Sequence, residues 1–404
     1  MATIKPFRAI HPNPFYADQL VFTKPQVESV SGKTTDPQGL PPLKTLLETG
    51  ARQRPETPEG QAHAYQDINN NLRELLNSEK LFLDQEPGIF VYEVKHPGYC
   101  QTGIWALTDL HDTIKTHELT FADSVRRIKN FRENTGLEGN PILLTYKQDD
   151  VINKIISGRK LIYPNAHYES ASGHHHLWKI EDTETLGAIV AAFAKIDKVY
   201  LADGHHRKQS AEDLANEQAK TDGPVFNTIS SLYMSTAELK IKQYNRVVIP
   251  ETTINKDEFF KQLLVHFYLR ESFTNKPIQP VENRKMGLYL NGVWYHMTAK
   301  AHTFSVELST DKLDVEIIQN QILKPVFGIS DPGNDKRLIH IGGDMAIAEM
   351  ESLFKTNPNA IGFTLCPMTN EQLIAAADMG INLPPKSTWI DPKIPYGLLI
   401  YKHA

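Results

Sequence analysis

Between residues 121 and 220 the sequence alternates between helical and strand-like patterns, and no other feature of the chain limits its fold as strongly. The predicted segments are a helix over about 121–133, a strand over 141–146, a short helix over 149–158, a strand at HHHLWKI, a helix over 183–195, a strand ending at Asp203 and a helix running to about Lys220. Such alternation is typical of α/β proteins, in which helices cover the faces of a sheet.

Hairpin signals interrupt this alternation on both sides. The runs GIFVYEVKH and CQTGIWALTD are separated by Pro97-Gly98, and Asn291-Gly292 lies at the centre of KMGLYLNGVWYHMTA. Antiparallel hairpins within an alternating chain predict mixed sheets, so the predicted class is α/β, or α+β, with mixed sheets. Further along, LDVEIIQNQILKPVFG has the pattern of an amphipathic helix that ends at Pro325.

The length of the chain predicts more than one domain. Its 404 residues are enough for two or more domains of ordinary size. We place a boundary near Pro250, which separates a catalytic region with an N-terminal extension over 1–250 from a C-terminal α+β region over 251–404. The sequence indicates no oligomeric state.

Charge and composition argue against several classes of protein. The 43 basic and 48 acidic side chains give a net charge of −5, so no overall cationic field attracts a nucleic acid, although a local patch is compatible with this balance. The start MATIKPFRAI has no apolar core of signal-peptide length, and the longest apolar run, 186–194, is too short for a membrane span. We therefore expect a cytoplasmic protein with neither a membrane nor a nucleic acid as partner. Cys100 and Cys366 lack CxxC spacing, and we interpret them as two buried thiols.

The stretch VYLADGHHRKQS combines a strand end, a glycine and a helix start with four chemically active side chains. Gly204 permits a tight turn and close approach to a ligand, while the N-terminus of the following helix attracts anions. Arg207 adds a planar fork for phosphate oxygens, and His205 and His206 can donate hydrogen bonds or carry a proton. Asp203 could bind a divalent cation, orient a histidine or accept a proton. The alternative is a structural turn in which Asp203 caps the helix and the histidines are solvated.

A second group, His117 and Glu118, lies just before the helix predicted at Phe121. A carboxylate is well placed at a helix N-terminus. Alone, HELT is a weak signal, because a capping acid beside a surface histidine gives the same residues and because the zinc motif HExxH is not present.

Taken together, the order of HE, helix, glycine, PILL strand and a later strand ending in DGHHR resembles the ParB/sulfiredoxin-like fold, and within it the free serine kinase branch. In that branch an HE loop and a DGHHR turn face one another across the active site. Nearly the whole chain, from IKPFRAI to PPKSTWIDPKIPYGLLIY, also resembles an uncharacterised family with the signature ADGHHR, whose members often accompany serine-biosynthesis enzymes. The resemblance to the kinases covers 115–146 and 199–218. This chain differs from the kinases in having about fifty residues between these two stretches and long extensions at both ends.

The resemblance implies a ParB/sulfiredoxin-like catalytic core with large insertions. The residues at the turn help to choose among the activities known in that superfamily. Sulfiredoxins need a nucleophilic cysteine at this turn, where the chain carries His205, and ParB proteins add a DNA-binding helical domain, against which the acidic balance argues. The implied function is that of a kinase that transfers a phosphoryl group to the hydroxyl of free L-serine, giving O-phosphoserine. A phosphoserine phosphatase using the same site and a ParB-like nucleotide-binding or nucleic-acid-associated protein are the alternatives.

The kinase interpretation assigns roles by analogy. The catalytic residues are Glu118, Asp203 and His206, and the phosphate-binding residues are Gly204, His205 and Arg207. Glu118 would accept the proton of the hydroxyl, as the carboxylate of the kinase branch does, and Asp203 would bind Mg²⁺ directly or through water. No Walker or protein-kinase glycine loop occurs, so ATP, ADP and pyrophosphate all stay open as donors.

Other residues are weaker candidates. His117, Arg246 and Lys386 are candidates for substrate or phosphate binding. Lys386 lies in PPKST, which is either a phosphate clamp or a C-terminal structural turn, and Arg246 is either a ligand of the substrate carboxylate or an exposed strand arginine. In HHHLWKI at most two of the three histidines could share a metal ion, because neighbouring strand side chains point to opposite faces, and a surface strand is the favoured interpretation.

Overall fold

The computed structural model of the protein describes residues 2–22, 40–48, 57–170, 173–219, 226–274, 276–304 and 313–403. The helices are α1 (Ala17–Leu20), α2 (Leu43–Leu47), α3 (Pro58–Asn77), α4 (Ala122–Thr135), α5 (Asp150–Arg159), α6 (Thr183–Phe193), α7 (His205–Gln218), α8 (Lys256–His266), α9 (Asp314–Ile318), α10 (Lys324–Phe327), α11 (Ala346–Thr356) and α12 (Asn370–Asp378), with a 3₁₀ turn at Ala301–Thr303 and a π-helical segment at Gln319–Leu323.

The strands complete the set of regular elements. They are β1 (Ile4–Lys5), β2 (Ile10–Pro12), β3 (Leu81–Leu83), β4 (Ile89–His96), β5 (Tyr99–Asp109), β6 (Ile114–Lys115), β7 (Leu137–Glu138), β8 (Ile142–Tyr146), β9 (Ala166–Ser170), β10 (Gly173–Ile180), β11 (Val199–Asp203), β12 (Thr228–Ser235), β13 (Lys240–Lys242), β14 (Tyr244–Val248), β15 (Phe267–Glu271), β16 (Lys285–Leu290), β17 (Val293–Ala299), β18 (Leu338–Gly342), β19 (Ile361–Thr364), β20 (Trp389–Asp391) and β21 (Tyr401–Lys402).

The contact pattern divides the chain into two units. The first unit comprises residues 1–114, 120–239 and 392–404, and the second comprises 115–119 and 240–391. The boundary near Pro250 stays a prediction, and each unit is described by itself.

The first unit is built on a nine-stranded sheet in the order β6-β11-β8-β12-β5-β4-β10-β9, with β1 paired to β5. Strands β12 and β8 run parallel. The pairs β11–β8, β12–β5, β5–β4, β4–β10 and β10–β9 are antiparallel. Apolar side chains of α5, α6 and α7 pack with those of the central strands into one core. The mixed α/β class predicted from the sequence is therefore confirmed.

Local sequence signals explain where the helices of this unit begin and end. The Asp149 carboxylate accepts hydrogen bonds from the second and third amides of α5, and Asp182 caps α6 in the same way. Helix α4 ends at Gly136, which has a left-handed φ of 68°. The predicted helices and strands of this region are confirmed to within a few residues, and the predicted end of α7 at Lys220 lies just outside the described residues.

The second unit contains a six-stranded sheet in the order β15-β17-β16-β19-β14-β18, in which every pair of neighbours is antiparallel. Asn291 and Gly292, with φ of 50° and 84°, form the predicted hairpin turn between β16 and β17. Positive φ at both positions is what a two-residue hairpin turn of type I′ requires. Helix α11 packs its apolar face on β14 and β18.

Two expectations are wrong. Pro325 does not end a helix: it lies in the first turn of α10, which continues the π-helical segment, and the helix ends at Gly328 with a φ of 67°. Proline has no N–H to donate to an intrahelical acceptor, and the π-helical segment just before Pro325 is a local departure from α-helical geometry at the point where that bond is missing. The cysteines are not two buried thiols, because Cys100 is exposed next to the hairpin end of β5 and Cys366 is partly exposed. Within the described ranges, no helix has the length and apolar character that crossing a membrane requires.

Candidate functional site

The DGHHR turn lies in the first unit, where β11 ends and α7 begins. Strand β11 pairs with β8, and its register shifts between Leu201 and Asp203, so Asp203 faces Leu143 after an irregularity in the ladder. Such irregularities re-aim side chains and are common beside active sites. The strand thus delivers the Asp203 carboxylate to the N-terminus of α7.

Gly204 is the N-cap residue of α7 and has a φ of 97°. A Cβ atom at this position would lie 2.8 Å from Nη2 of Arg207, 2.9 Å from its Nε and 3.0 Å from Cγ2 of Ile142. The left-handed backbone favours glycine here, and a larger residue would also displace the Arg207 guanidinium. The same close approach places the Arg207 guanidinium beside Gly204, the N-cap residue of the helix.

The Asp203 carboxylate is held between two cations. Nη2 of Arg207 donates to its Oδ2 at 2.9 Å, and Nζ of Lys393 lies 3.5 Å from its Oδ1. Burial acts to raise the pKa of Asp203, but the positive charges of Lys393 and Arg207 outweigh burial and hold the pKa below its ordinary value. Asp203 is therefore an ionised carboxylate at neutral pH.

The interpretation of Asp203 as a helix cap is wrong. Gly204, not Asp203, is the N-cap residue, and no side chain caps α7. The histidines are not simply solvated either, because His205 is buried. The Nε atom of Arg207 is buried and has no hydrogen-bond acceptor within the described part of the chain. A buried guanidinium N–H without an acceptor is costly, and in proteins such a group is usually satisfied by an ordered water, an ion or a ligand.

His206 connects the starts of two helices. Its Nε2 accepts a hydrogen bond from the backbone N–H of Phe121, the N-cap residue of α4, at 3.0 Å. Its ring stacks on the Phe121 ring with centroids 5.3 Å apart. Because Nε2 is an acceptor, Nδ1 carries the proton of the neutral imidazole, and only Nδ1 can donate to a ligand.

A buried ion-pair network supports the turn from behind. Nη1 of Arg132 donates to the carbonyl of Arg207 at 3.3 Å and to Oγ of Ser210 at 3.0 Å, while its Nε donates to Oε1 of Glu138 at 3.1 Å. Glu138 also accepts from the Ser230 backbone at 2.9 Å and lies 2.6 Å from Nε2 of His403. The network ties α4, α7, β7, β12 and the C-terminal segment to one point beneath the turn.

His117 and Glu118 belong to the second unit. The carbonyl of His117, which is fully buried, accepts a hydrogen bond from the backbone N–H of Leu383 at 2.8 Å, and Glu118 forms a parallel bridge with Leu383. This short stretch is therefore fixed beside the segment that leads into PPKST. Glu118 itself is partly exposed.

Arg246 is not an exposed strand arginine. It is 2% exposed, and its terminal nitrogens donate to the carbonyls of Tyr244 at 2.9 Å and Lys386 at 3.0 Å. Burial lowers the pKa of Arg246 to about 10, opposed by the charges of Tyr244 and Glu118, so the side chain is still a cation at neutral pH. Arg246 thus anchors the PPKST segment to β14.

The surroundings of Arg246 carry excess positive charge. Burial, together with the charges of Arg246 and Lys386, lowers the pKa of His340 to about 2, so this histidine is neutral. Lys386 has a left-handed φ of 63° and an exposed side chain. Glu118 lies close enough to Arg246 for its charge to act on the pKa of that arginine. His117, Glu118, Arg246 and Lys386 are the second set of candidate residues.

The structure therefore separates the predicted residues into two sets. Asp203, Gly204, His205, His206 and Arg207 lie together in the first unit, and His117, Glu118, Arg246 and Lys386 lie in the second. The sequence interpretation missed Lys393, Arg132 and Glu138. No local pattern in IDPKIP indicates a role for Lys393. For Arg132 and Glu138, the only hint of their pairing is that they carry opposite charges on either side of Gly136.

Comparisons with known proteins place the chain in a family. A family model described as "Protein of unknown function (DUF1015)" matches residues 4–316, and a comparison with curated protein sequences finds no match. Whether the ADGHHR signature defines this family stays a prediction.

Among solved structures, SbnI with a C-terminal truncation from Staphylococcus aureus is 10% identical, with a TM-score of 0.37 over 73% of this chain and 87% of that chain. A free serine kinase in complex with AMP is 13% identical, with a TM-score of 0.39 over 74% and 91% of the two chains. A conserved hypothetical protein from Pyrococcus furiosus is 11% identical, with a TM-score of 0.35 over 72% and 93%. Likeness this weak assigns no function. Because the family model spans most of its length, the chain belongs to the DUF1015 family.

Proposed function

We propose that the protein is a small-molecule kinase that transfers a phosphoryl group from a phosphate donor to the hydroxyl of free L-serine, giving O-phosphoserine. One observation carries the proposal: Nε of Arg207 is buried without an acceptor in the described part of the chain, beside the N-cap residue of α7 and an ionised carboxylate. A helix start, a guanidinium and a carboxylate in one turn suit a phosphate group accompanied by a metal ion.

The donor phosphates would bind at the turn. The first amides of α7 have no intrahelical acceptor, and the backbone of Gly204 leaves no side chain in the way of a phosphate. An oxygen of the phosphate would accept the hydrogen bond that Arg207 Nε lacks, and the ammonium of Lys393 adds positive charge beside the same carboxylate. Nδ1–H of His206 and the side chain of His205 would contact the transferring group.

At this turn, Mg²⁺ would be bound through one protein carboxylate. Asp203 offers a single ionised, partly exposed carboxylate. Mg²⁺ bound by one carboxylate fills its other positions with water and donor phosphate oxygens, which is usual for this ion. When bound, the ion would neutralise charge on the donor, and Arg207 would then exchange part of its contact with Asp203 for the phosphate.

The acceptor chemistry needs a base. As the serine oxygen bonds to phosphorus, the bond from phosphorus to the leaving oxygen of the donor breaks and the hydroxyl proton must be accepted. We assign this proton to the carboxylate of Glu118, following the kinase resemblance. The buried cation Arg246 and the exposed Lys386 give the surroundings of Glu118 positive charge, which suits a substrate that carries a carboxylate.

Two other functions are compatible with parts of this arrangement. A phosphoserine phosphatase would use the same turn with water in place of the serine hydroxyl. A ParB-like nucleotide-binding protein would keep the phosphate site but would need a basic surface for nucleic acid, and the net charge of −5 disfavours such a surface.

A donor panel tests the proposal. The full chain is incubated with Mg²⁺, L-serine and, in separate reactions, ATP, ADP, GTP, CTP or pyrophosphate, and O-phosphoserine is measured by mass spectrometry. We expect product with at least one donor, a requirement for Mg²⁺, and loss of product in Arg207→Ala. Absence of O-phosphoserine with every donor would overturn the kinase assignment.

Two further incubations separate the alternatives. Incubation with O-phosphoserine alone, followed by measurement of free phosphate, identifies a phosphatase. Titration of duplex and single-stranded DNA at two salt concentrations identifies a nucleic-acid protein, whose affinity must fall steeply as salt rises. We expect little DNA binding at physiological salt.

A further inference from the structure

Strands β9 and β10 carry an unusual concentration of metal-ligating side chains at one edge of the first unit's sheet. The two strands are antiparallel, with His174 opposite Glu169 and His176 opposite His167. Residues two apart on a strand share a face, and directly opposed residues of an antiparallel pair do so too. These four side chains therefore project from the same face of the hairpin, whereas His175 projects from the other.

Three of the four are close enough to share an ion. One ligand atom from each of His167, Glu169 and His174 lies within 4.8 Å of the others, and all three side chains are exposed. Nδ1 of His174 is 3.4 Å from Oε1 of Glu169, and the rings of His167 and His174 have centroids 6.2 Å apart with planes inclined by 28°. No backbone change is needed to bring three ligand atoms together.

We propose that His167, Glu169 and His174 form a binding site for a late first-row transition-metal ion such as Zn²⁺. Two imidazoles and one carboxylate are a zinc donor set, and they leave the fourth tetrahedral position to water. Ligand atoms around a tetrahedral zinc ion are about 3.3 Å apart, given bonds of roughly 2.0 Å. Small rotations of exposed side chains close the difference from the observed spacing.

Neighbouring side chains stack on one of the ligands and anchor the hairpin that carries all three. The ring of His176 stacks on that of His167 with centroids 4.6 Å apart and planes within 1°, and on that of Trp178 at 5.7 Å. On the opposite face, His175 is buried, and its two ring nitrogens lie 2.9 Å from Tyr92 Oη and 2.9 Å from Ser170 Oγ. The hairpin is thus anchored from behind, and the ligand atoms stay at its outer face.

The site is distinct from the DGHHR turn. Strand β9 is the edge strand at one end of the sheet, and β11 lies next to the opposite edge. With strands about 4.8 Å apart, the six steps from β11 to β9 correspond to roughly 30 Å. Imidazole ligands also select zinc, nickel or copper over magnesium, so the ion is not the one proposed for Asp203.

A metal ion here would join two strands. Bound to residues of both β9 and β10, it would link the edge strand to the strand next to it in the sheet. An ion that binds the folded hairpin and not the unfolded chain raises the midpoint of thermal unfolding in proportion to the logarithm of its concentration above Kd. This property gives a readout that does not depend on any enzymatic activity.

Calorimetric titration of the full chain with ZnCl₂ in a non-chelating buffer tests the proposal. We expect one equivalent of Zn²⁺ to bind the wild-type protein, and affinity to fall by at least about tenfold in His167→Ala and in His174→Ala, since even second-sphere changes cost this much. Glu169→Gln should weaken binding as well. His174→Cys, which replaces one zinc ligand by another, should retain it.

Matched controls separate the site from other histidines. His63→Ala removes an exposed histidine of α3, and Asp203→Asn removes the carboxylate of the turn; both should bind zinc as the wild type does. MgCl₂ should give no comparable binding at this hairpin. Equal zinc affinity in the wild type and in the double variant His167→Ala/His174→Ala, with both proteins folded by circular dichroism, would overturn the proposal.

Discussion

Nε2 of His206 accepts a hydrogen bond from the backbone N–H of Phe121 at 3.0 Å, so the first turn of α7 contacts the N-cap residue of α4 through one imidazole. An amide at a helix start has no intrahelical acceptor, and a side chain from a different helix supplies it here. The stacked Phe121 ring fixes the plane of the imidazole. The orientation of the turn therefore depends on α4 as well as on β11.

Replacing His206 by phenylalanine should remove this acceptor while keeping an aromatic ring of similar size. We expect the free energy of unfolding to fall by about 1–3 kcal/mol, because the Phe121 amide loses its partner. Urea denaturation measures the change. His63→Phe, at an exposed position of α3, should change stability by no more than about 0.5 kcal/mol. Equal stability of His206→Phe and the wild type would contradict the role of this bond.

Gly204→Ala should damage both the backbone and the anion site. A left-handed conformation costs a non-glycine residue about 1–2 kcal/mol, and the new Cβ would lie 2.8 Å from Nη2 of Arg207. We expect lower stability and weaker binding of the phosphate donor. The matched control is Gly187→Ala, in the middle of α6, where the new Cβ would contact nothing within 4 Å beyond its chain neighbours and the backbone of its own helix; this change should stabilise the protein by about 0.5–1 kcal/mol. Unchanged donor affinity in Gly204→Ala would count against the phosphate site.

Glu118→Gln tests the proposed base without changing the shape of the side chain. If Glu118 accepts the hydroxyl proton, kcat should fall by about two to four orders of magnitude while donor affinity is nearly unchanged. Arg207→Ala should instead weaken donor binding as well as turnover, because it removes a charge-assisted contact to phosphate. Steady-state kinetics and direct nucleotide titrations distinguish the two patterns. Full turnover in Glu118→Gln would make Asp203 the next candidate for the base.

Arg132→Met should be the most destabilising of the substitutions considered. Arg132 and Glu138 are 3% and 6% exposed, and removing one partner of a buried ion pair costs about 3–5 kcal/mol. Arg126→Met on the same helix provides the control: its pair with Asp123 is exposed, so the loss should be at most about 0.5 kcal/mol. Denaturant midpoints of the two variants measure the difference. Similar losses at both positions would show that the buried network does not support the turn as described.

Acid should destabilise the first unit partly through Asp109. Burial acts to raise the pKa of this carboxyl, but hydrogen bonds from Lys5 and His111 lower it from 3.8 to about 2. The unfolded chain therefore binds the proton more readily, so stability is present above the unfolded pKa and is lost as pH falls towards 2. Because both partners of this carboxylate are exposed to solvent, which screens the ion pairs, the contribution is at most about 1 kcal/mol at neutral pH. Urea denaturation between pH 2 and 7 should show a shallower pH dependence in Asp109→Asn, and an identical dependence would contradict this assignment.

Much of the local structure could be predicted from the sequence because it depends on neighbouring residues. The period of apolar residues and the capping groups Asp149 and Asp182 place α5 and α6, and Asn291-Gly292 places a hairpin turn. Pro325 misled the prediction, because a π-helical segment before it changes which position of the helix the proline occupies.

In the candidate site, too, some features could be predicted from neighbouring residues and others could not. The end of a strand at Asp203, the glycine at position 204 and the helix that follows are consecutive in sequence, so their chemistry could be inferred directly. The pairing of Arg207 with Asp203 is local as well, because the two residues are four positions apart at the start of α7. That Lys393 lies beside the same carboxylate depends instead on packing between segments nearly two hundred residues apart. No local pattern encodes such a contact.

The sequence by itself determined the alternating elements, the turn types and the chemical groups at the DGHHR turn, because steric preferences and hydrogen bonds between near neighbours set these features. Only the tertiary structure decided which distant side chains meet. Arg246 is buried against carbonyls of the PPKST segment, and a ligand atom of His167 lies within 4.8 Å of one on His174 of the neighbouring strand. The physical reason is that burial and long-range charge pairing depend on how sheets and helices pack, which the one-dimensional pattern of residues does not specify.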